Sequence, residues 1–237
     1  MPKERSNSPK DVKPVFHIFC EGKTEESYLE SYIEKFYSGN RRLQVIRIEN
    51  AKKNTAKELV GEAIEFQEKE NCPEGDIFWV VYDRENEVKY SDKHHQTAYD
   101  SAEPKNISIA ISNVCFEVWI LLHFQDIILQ TNSCDDAIEN SPVQFKDYAD
   151  LIGNSPLQTL CRGRGLSYKK GSKRLFENFT DTELAQARNR AKIMNQSTKN
   201  SADPNRTKPY QWNPYTNVHE LLDAIDEFAI ESNLQII

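Results

Sequence analysis

The sequence predicts an α/β protein: a mostly parallel, Rossmann-like sheet with helices on both faces. Three observations carry this prediction. Two apolar runs, residues 15–20 (VFHIFC) and 77–82 (IFWVVY), are rich in aromatic and β-branched residues, the pattern of strands buried on both faces. Each ends at once in an acidic cluster, Glu21-Gly22-Lys23-Thr24-Glu25-Glu26 and Asp83-Arg84-Glu85. Strand-sized runs then alternate with helix-sized amphipathic segments, an order that sets consecutive strands parallel.

The elements follow in chain order. Residues 1–13 (MPKERSNSPKDVK) are polar and basic, with no apolar segment of signal-peptide length behind them, and read as a disordered lead-in. A helix is predicted over 24–36, with Thr24 as N-cap and Tyr28, Leu29, Tyr32, Ile33 and Phe36 as its apolar stripe. Gly39-Asn40 ends it. Residues 43–48 predict a second strand and 55–70 a second helix, carrying Leu59, Val60, Ala63, Ile64 and Phe66. Cys72-Pro73-Glu74-Gly75-Asp76 is a turn before the third strand. Residues 91–102 form a polar helix stopped by Glu103-Pro104, 107–111 a fourth strand, and 116–124 (FEVWILLHF) a helix too apolar for a surface position. The α/β domain therefore spans 14–130.

From 131 to 237 no strand is predicted. Helices are expected over 143–152, over 169–179 with Leu175, Phe176 and Phe179 inward, and over 181–194. Residues 197–212 read as loop. A last amphipathic helix over 217–230 places Val218, Leu221, Leu222, Ile225 and Phe228 at helical spacing and packs back on the α/β domain.

The chain of 237 residues fits one large domain, or one domain with an appendage. Its longest apolar runs are too short to span a bilayer, so no membrane partner is expected. Five cysteines without a CxxC pair argue against a zinc site and a disulfide framework, and favour a reducing cytoplasm. The formal net charge is −7. Residues 161–210, however, hold twelve Lys or Arg against four acids, a local surplus of eight positive charges on a body carrying −15. Such a segment can meet a polyanion, or it can be the solvated face of helices.

The acidic clusters are the candidate chemistry. Carboxylates at the carboxyl ends of parallel strands face the crevice where open α/β sheets bind ligands. Glu21 is read as a metal ligand or general acid/base, and Glu25 as a second carboxylate in the first helical turn. Glu26 is read as complementing the helix dipole. Asp83 and Glu85, two apart in extended chain, would face the same side and suit one or two hard cations. Glu117, inside an apolar helix start, needs a partner, a metal or a proton. His123 reads first as a core histidine, and second as support for the carboxylates. No GxGxxG or GxxxxGK[ST] supports dinucleotide or Walker-type binding.

A glutamate after strand one and an acidic pair after strand three, within a Rossmann-like alternation, resemble the Toprim domain, the metal-binding catalytic module of primases, type II topoisomerases and several nucleases. More narrowly, FCEGKTEESYLE, WVVYDRE, ISNVCFEVWILLHF and NPYTNVHELL resemble the RloB family, Toprim-like bacterial proteins found beside restriction and phage-defence genes. The resemblance spans roughly residues 15–228. It implies that Glu21 takes the general acid/base place, and that Asp83 and Glu85 take the metal-ligand places of an Asp-x-Asp motif. Glu85 stands where the family pattern has Asp, and Val114 where it has Pro. Glu117 is kept, and the Asn-Pro-x-Thr-x-x-His element runs from Asn213 to His219.

The expectation is a Mg2+- or Mn2+-dependent nuclease of antiphage defence, by abortive infection, acting on RNA or DNA. Glu21, Asp83, Glu85 and Glu117 would hold the metal, with Glu25, His123 and His219 in support. Lys169, Lys170, Lys173 and Arg174 would hold the nucleic-acid backbone. A partner defence protein and self-association are both compatible with this reading. The alternative is a non-catalytic sensor on the same fold, binding nucleic acid or a protein.

Overall fold

The computed structural model describes residues 13–69, 72–126, 130, 171, 176–177 and 179–234. The expected helix over 143–152, most of the one over 169–179, and Lys169, Lys170, Lys173 and Arg174 lie outside the described residues.

The elements run β1 (Phe16–Cys20), α1 (Lys23–Phe36), α2 (Asn40–Leu43), β2 (Ile46–Glu49), α3 (Ala56–Gln67), β3 (Ile77–Asp83), α4 (Asp92–Ala102), β4 (Ile107–Asn113), α5 (Glu117–Leu121), α6 (Asp181–Ser201), β5 (Tyr215–Thr216) and α7 (Val218–Glu231). The sheet order is β2-β1-β3-β4-β5. The first four strands are parallel, and β5 pairs antiparallel with the end of β4. This is an α/β fold with a Rossmann-like core.

Alternation along the strands splits the core into two layers. Phe16, Ile18, Cys20, Trp79, Val81 and Ala110 face a layer built with α1, α5, α6 and α7. Phe19, Phe78, Val80, Tyr82, Ile107, Ile109 and Ile111 face the opposite layer, built with α3, α4 and the aromatic trio Tyr210, Trp212 and Tyr215. Both faces of β1 and β3 are thus buried, which is why their sequences are continuously apolar. Val218, Leu221, Leu222, Ile225 and Phe228 of α7 lie in the same layer as Phe16 and Ile18.

Several boundaries differ from expectation. α1 starts at Lys23, and its N-cap is Gly22, not Thr24, whose hydroxyl instead accepts from the Gly171 amide. β2 begins at Ile46 because residues 40–43 form a helical turn closed by Gln44 in left-handed conformation (φ 51°). The Asn40 side chain locks that turn: its Oδ1 accepts from the Val45 and Ile46 amides, and its Nδ2 donates to the Ile46 carbonyl. α5 ends at Leu121, where the chain tightens and the His123 amide bonds the Ile120 carbonyl. α6 starts on a Thr180–Glu183 capping box and runs to Ser201, into residues expected to be loop. β5 has no sequence counterpart among the expected elements.

Candidate functional site

The parallel pairing of β1 with β3 sets Cys20 opposite Val81. Both strands therefore release their acidic clusters at the same end of the sheet. The Glu21 amide continues the ladder by donating to the Val81 carbonyl, 2.9 Å away. The Glu21 side chain crosses to β3, where Oε2 accepts from the Asp83 amide at 2.8 Å.

Around this junction opens a cleft of about 340 Å³ lined by Glu21, Gly22, Lys23, Thr24, Glu25, Asn54, Asp83, Glu117 and Gly171. Four carboxylate residues from four parts of the chain thus line one cleft: the end of β1, the first turn of α1, the end of β3 and the first turn of α5. Glu25 and Glu117 are buried, 4% and 2% exposed. The close approach of Glu25 depends on Gly22. A Cβ on Gly22 would stand 2.8 Å from the Glu25 carboxylate and push it aside. The N-terminus of α1, capped by no side chain at Gly22, opens at the same place and offers amides and a positive dipole end.

Burial raises the Glu21 carboxyl from its ordinary value to about 7. The Asp83 amide works against that rise, the Glu85 charge adds to it, and Lys89 opposes it. Glu21 is therefore poised to carry or release a proton near neutrality.

Glu85 does not join the other carboxylates in this cleft. The strand stops at Asp83, and Glu85 takes a left-handed backbone conformation (φ 58°), so the alternation that would place both side chains together is broken. Its carboxylate accepts from Lys89 at 2.6 Å and lines a neighbouring cleft with Arg84, Asn86, Asn113, Arg206 and Tyr210. Arg84, on the wall of that second cleft, is otherwise buried and donates to the Tyr210 and Tyr90 carbonyls and to Asp92.

The two histidines lie elsewhere. His123 is in the core, with ring contacts to the Trp119 carbonyl and the Tyr28 hydroxyl and stacked on Phe179 at 4.2 Å. Burial lowers its pKa to about 4, so it is neutral at pH 7. His219 is buried beside a surface depression shared with Lys192, Asn195, Lys199 and Trp212. Part of the basic region is used internally. Arg188 donates to Asp223, Asp226 and the Tyr32 hydroxyl, and Arg190 to Asp126 and the Leu122 carbonyl.

Asn54 and Gly171 were not anticipated as cleft residues. Asn54 follows β2, the neighbour of β1, so the general rule for strand ends in parallel sheets points to its loop. Gly171 carries no local signal beyond its place in the basic run. Its positive φ (72°) and the 3.2 Å from a Cβ built on it to the Lys23 Cβ show a backbone pressed against α1. The Ser27 hydroxyl donates to its carbonyl.

Searches of the curated proteins and of the solved structures returned no match. Among family models, that of the RloB-like proteins matches residues 16–225, across β1, β3, α5 and the greater part of α7. The chain belongs to the RloB-like family.

Proposed function

We propose that the chain is a Toprim-type phosphodiesterase, dependent on Mg2+ or Mn2+, that cleaves RNA or DNA in the cytoplasm as part of antiphage defence. One observation carries the reading: Glu21 and Asp83, from adjacent parallel strands, meet in one cleft with Glu25 and Glu117. The donor set fits a hard divalent cation, since these four side chains offer only carboxylate oxygen. Asp83, Glu117 and Glu25 would hold the ion, with Glu21 beside them. Such an ion, when bound, neutralises a scissile phosphate and activates water.

The chain's own groups supply the rest. Glu21 Oε2 is engaged by the Asp83 amide, which leaves Oε1 to carry the proton exchanged in hydrolysis. The α1 N-terminus faces the cleft and suits a phosphate. Gly171, at the cleft wall, is bonded in sequence to Lys170 and is two residues from Lys169 and Lys173. That sequence neighbourhood supports a backbone-holding role for the basic run, without base readout.

A second reading has one observation in its favour. Glu85, paired with Lys89 outside the four-carboxylate cleft, leaves the acidic pair after β3 divided. That suits a sensor that binds nucleic acid or a partner protein without cleaving. Incubation with labelled RNA and DNA pools, with and without Mg2+ or Mn2+, separates the two. Metal-dependent cleavage that disappears in Asp83→Asn supports the nuclease, whereas binding without cleavage under every metal condition supports the sensor.

A further inference from the structure

At the opposite end of the sheet, His17 of β1 meets the turn that leads into β3. His17 Nε2 lies 3.1 Å from Asp76 Oδ2, and Cys72 Sγ lies 3.3 Å from the same oxygen. The three ligand atoms all fall within 4.8 Å of one another. They border a cavity of about 280 Å³ together with Val15, Arg47, Phe66, Lys69 and Pro73. The His17 and Asp76 side chains are 3% and 2% exposed, while Cys72 is half-buried and leaves one side open.

The orientation of the imidazole is fixed from behind. His17 Nδ1 is 2.7 Å from Glu49 Oε1, at the end of β2. The ring is clamped between Phe78, stacked at 4.9 Å, and Phe66. With Nδ1–H given to Glu49, the Nε2 lone pair points at a carboxylate oxygen 3.1 Å away. Two acceptors face to face are repulsive unless a cation, either a proton or a metal, lies between them. A carboxylate behind a histidine is also the arrangement that orients metal-binding imidazoles. Asp76 is held likewise, its Oδ1 accepting from the Val15 amide at 2.8 Å.

We propose that His17 Nε2, Cys72 Sγ and an Asp76 carboxylate oxygen form a second metal site, for a borderline-soft divalent cation of the zinc type. Tetrahedral coordination with bonds of about 2.0–2.3 Å places ligand atoms roughly 3.3–3.7 Å apart, close to the 3.1 Å and 3.3 Å that separate His17 Nε2 and Cys72 Sγ from the Asp76 oxygen. The nitrogen, thiolate and carboxylate set differs from the oxygen-only cleft and selects a different ion. Binding forms three protein–metal bonds and releases the Cys72 thiol proton to solvent, and water fills the open fourth position. Because the site joins the entries of β1 and β3, the ion acts as a clip. The cysteine spacing that argued against a zinc site holds only for cysteine-rich motifs. Here the ligands come from one strand and one distant turn.

The test uses the full chain, stripped with a chelator and titrated with Co2+ and then Zn2+. One equivalent of Co2+ should produce a sulfur-to-cobalt charge-transfer band that Zn2+ abolishes. Cys72→Ser should lose the band. His17→Gln should weaken Co2+ binding at least tenfold, and Glu49→Gln about 10–100-fold through the lost orienting contact. Asp83→Asn should keep the band in full, so failure here is distinguishable from failure of the catalytic reading. Zn2+ should also raise the melting temperature of the wild type but not of Cys72→Ser. No uptake by the wild type, which would mean that a proton alone bridges His17 and Asp76, overturns the proposal. So does a band that survives in Cys72→Ser.

Discussion

At Glu21 two forces oppose each other: burial favours the neutral carboxyl, and the Asp83 amide favours the carboxylate. Burial wins, and the group titrates at about 7 in the metal-free protein, against 4.5 in an exposed chain. Below the unfolded value both states hold the proton, so it costs nothing. As pH rises towards 7 only the unfolded state releases it, stability falls across that window, and the loss is complete above it. The shift corresponds to about 3 kcal/mol. Glu21→Gln keeps the acceptor for the Asp83 amide and removes the charge. In chelator-treated protein this variant should match the wild type at about pH 4 and exceed it by up to about 3 kcal/mol near pH 8. Denaturant melts at the two pH values check this, and a gap that does not widen removes burial as the cause. Under the nuclease reading the same variant, and Asp83→Asn, should lower cleavage by at least about 100-fold, the scale of general acid–base catalysis.

Among elements, β5 shows how a two-residue strand can fix a whole helix. Asn217, directly after it, accepts from the Ile111 amide at 2.7 Å and donates to the Ile109 carbonyl at 2.9 Å, so one side chain takes up the open edge of β4. Thr216 adds a hydroxyl pair with Ser112 and backbone bonds with Asn195 of α6. Asn217→Ala would leave two buried backbone groups of β4 unpaired and should cost roughly 2–4 kcal/mol, read as a shift in denaturation midpoint. A change below about 0.5 kcal/mol would mean that water replaces the amide.

The same elements show what the sequence reveals. β1, β3 and α1 were legible because burial on two faces or on one stripe leaves a pattern of period two or 3.6. β5 is too short for any period. The first residues expected of β2 were taken by Asn40, whose side chain bonds the backbone locally and competes with the strand. Of the carboxylates, Glu21, Asp83 and Glu117 were readable from their places at strand ends and in an apolar helix start. The division of Glu85 from them was not, since a left-handed residue just past a strand leaves no mark in a glutamate.

Across the whole molecule, charge is arranged more by contacts than by the sequence total. The acceptor Asp226 collects the hydroxyls of Tyr32 and Tyr37 and the guanidinium of Arg188, joining α1, α6 and α7 over one side of the sheet. Asp226→Ala strands those donors and should cost about 2–3 kcal/mol, with the melting temperature as readout and Asp226→Asn partly restoring it. Arg188 and Arg190 are thus structural. Among the described residues no helix is long and apolar enough to cross a membrane. Lys169, Lys170, Lys173 and Arg174 remain the proposed nucleic-acid contacts. Reversing two of them should reduce the salt slope of nucleic-acid binding by about 0.7–0.9 per lost phosphate contact and leave Mg2+ binding intact. An unchanged slope would return them to the solvated surface.

The most direct measurement is cleavage of labelled RNA and DNA by purified wild type and Asp83→Asn, each with chelator, Mg2+ or Mn2+. Wild type should cut at least one pool only when the metal is present, and Asp83→Asn should bind that nucleic acid without cutting it. Cleavage that persists in the chelator, or equal cutting by Asp83→Asn, would contradict a catalytic role for the cleft between β1 and β3.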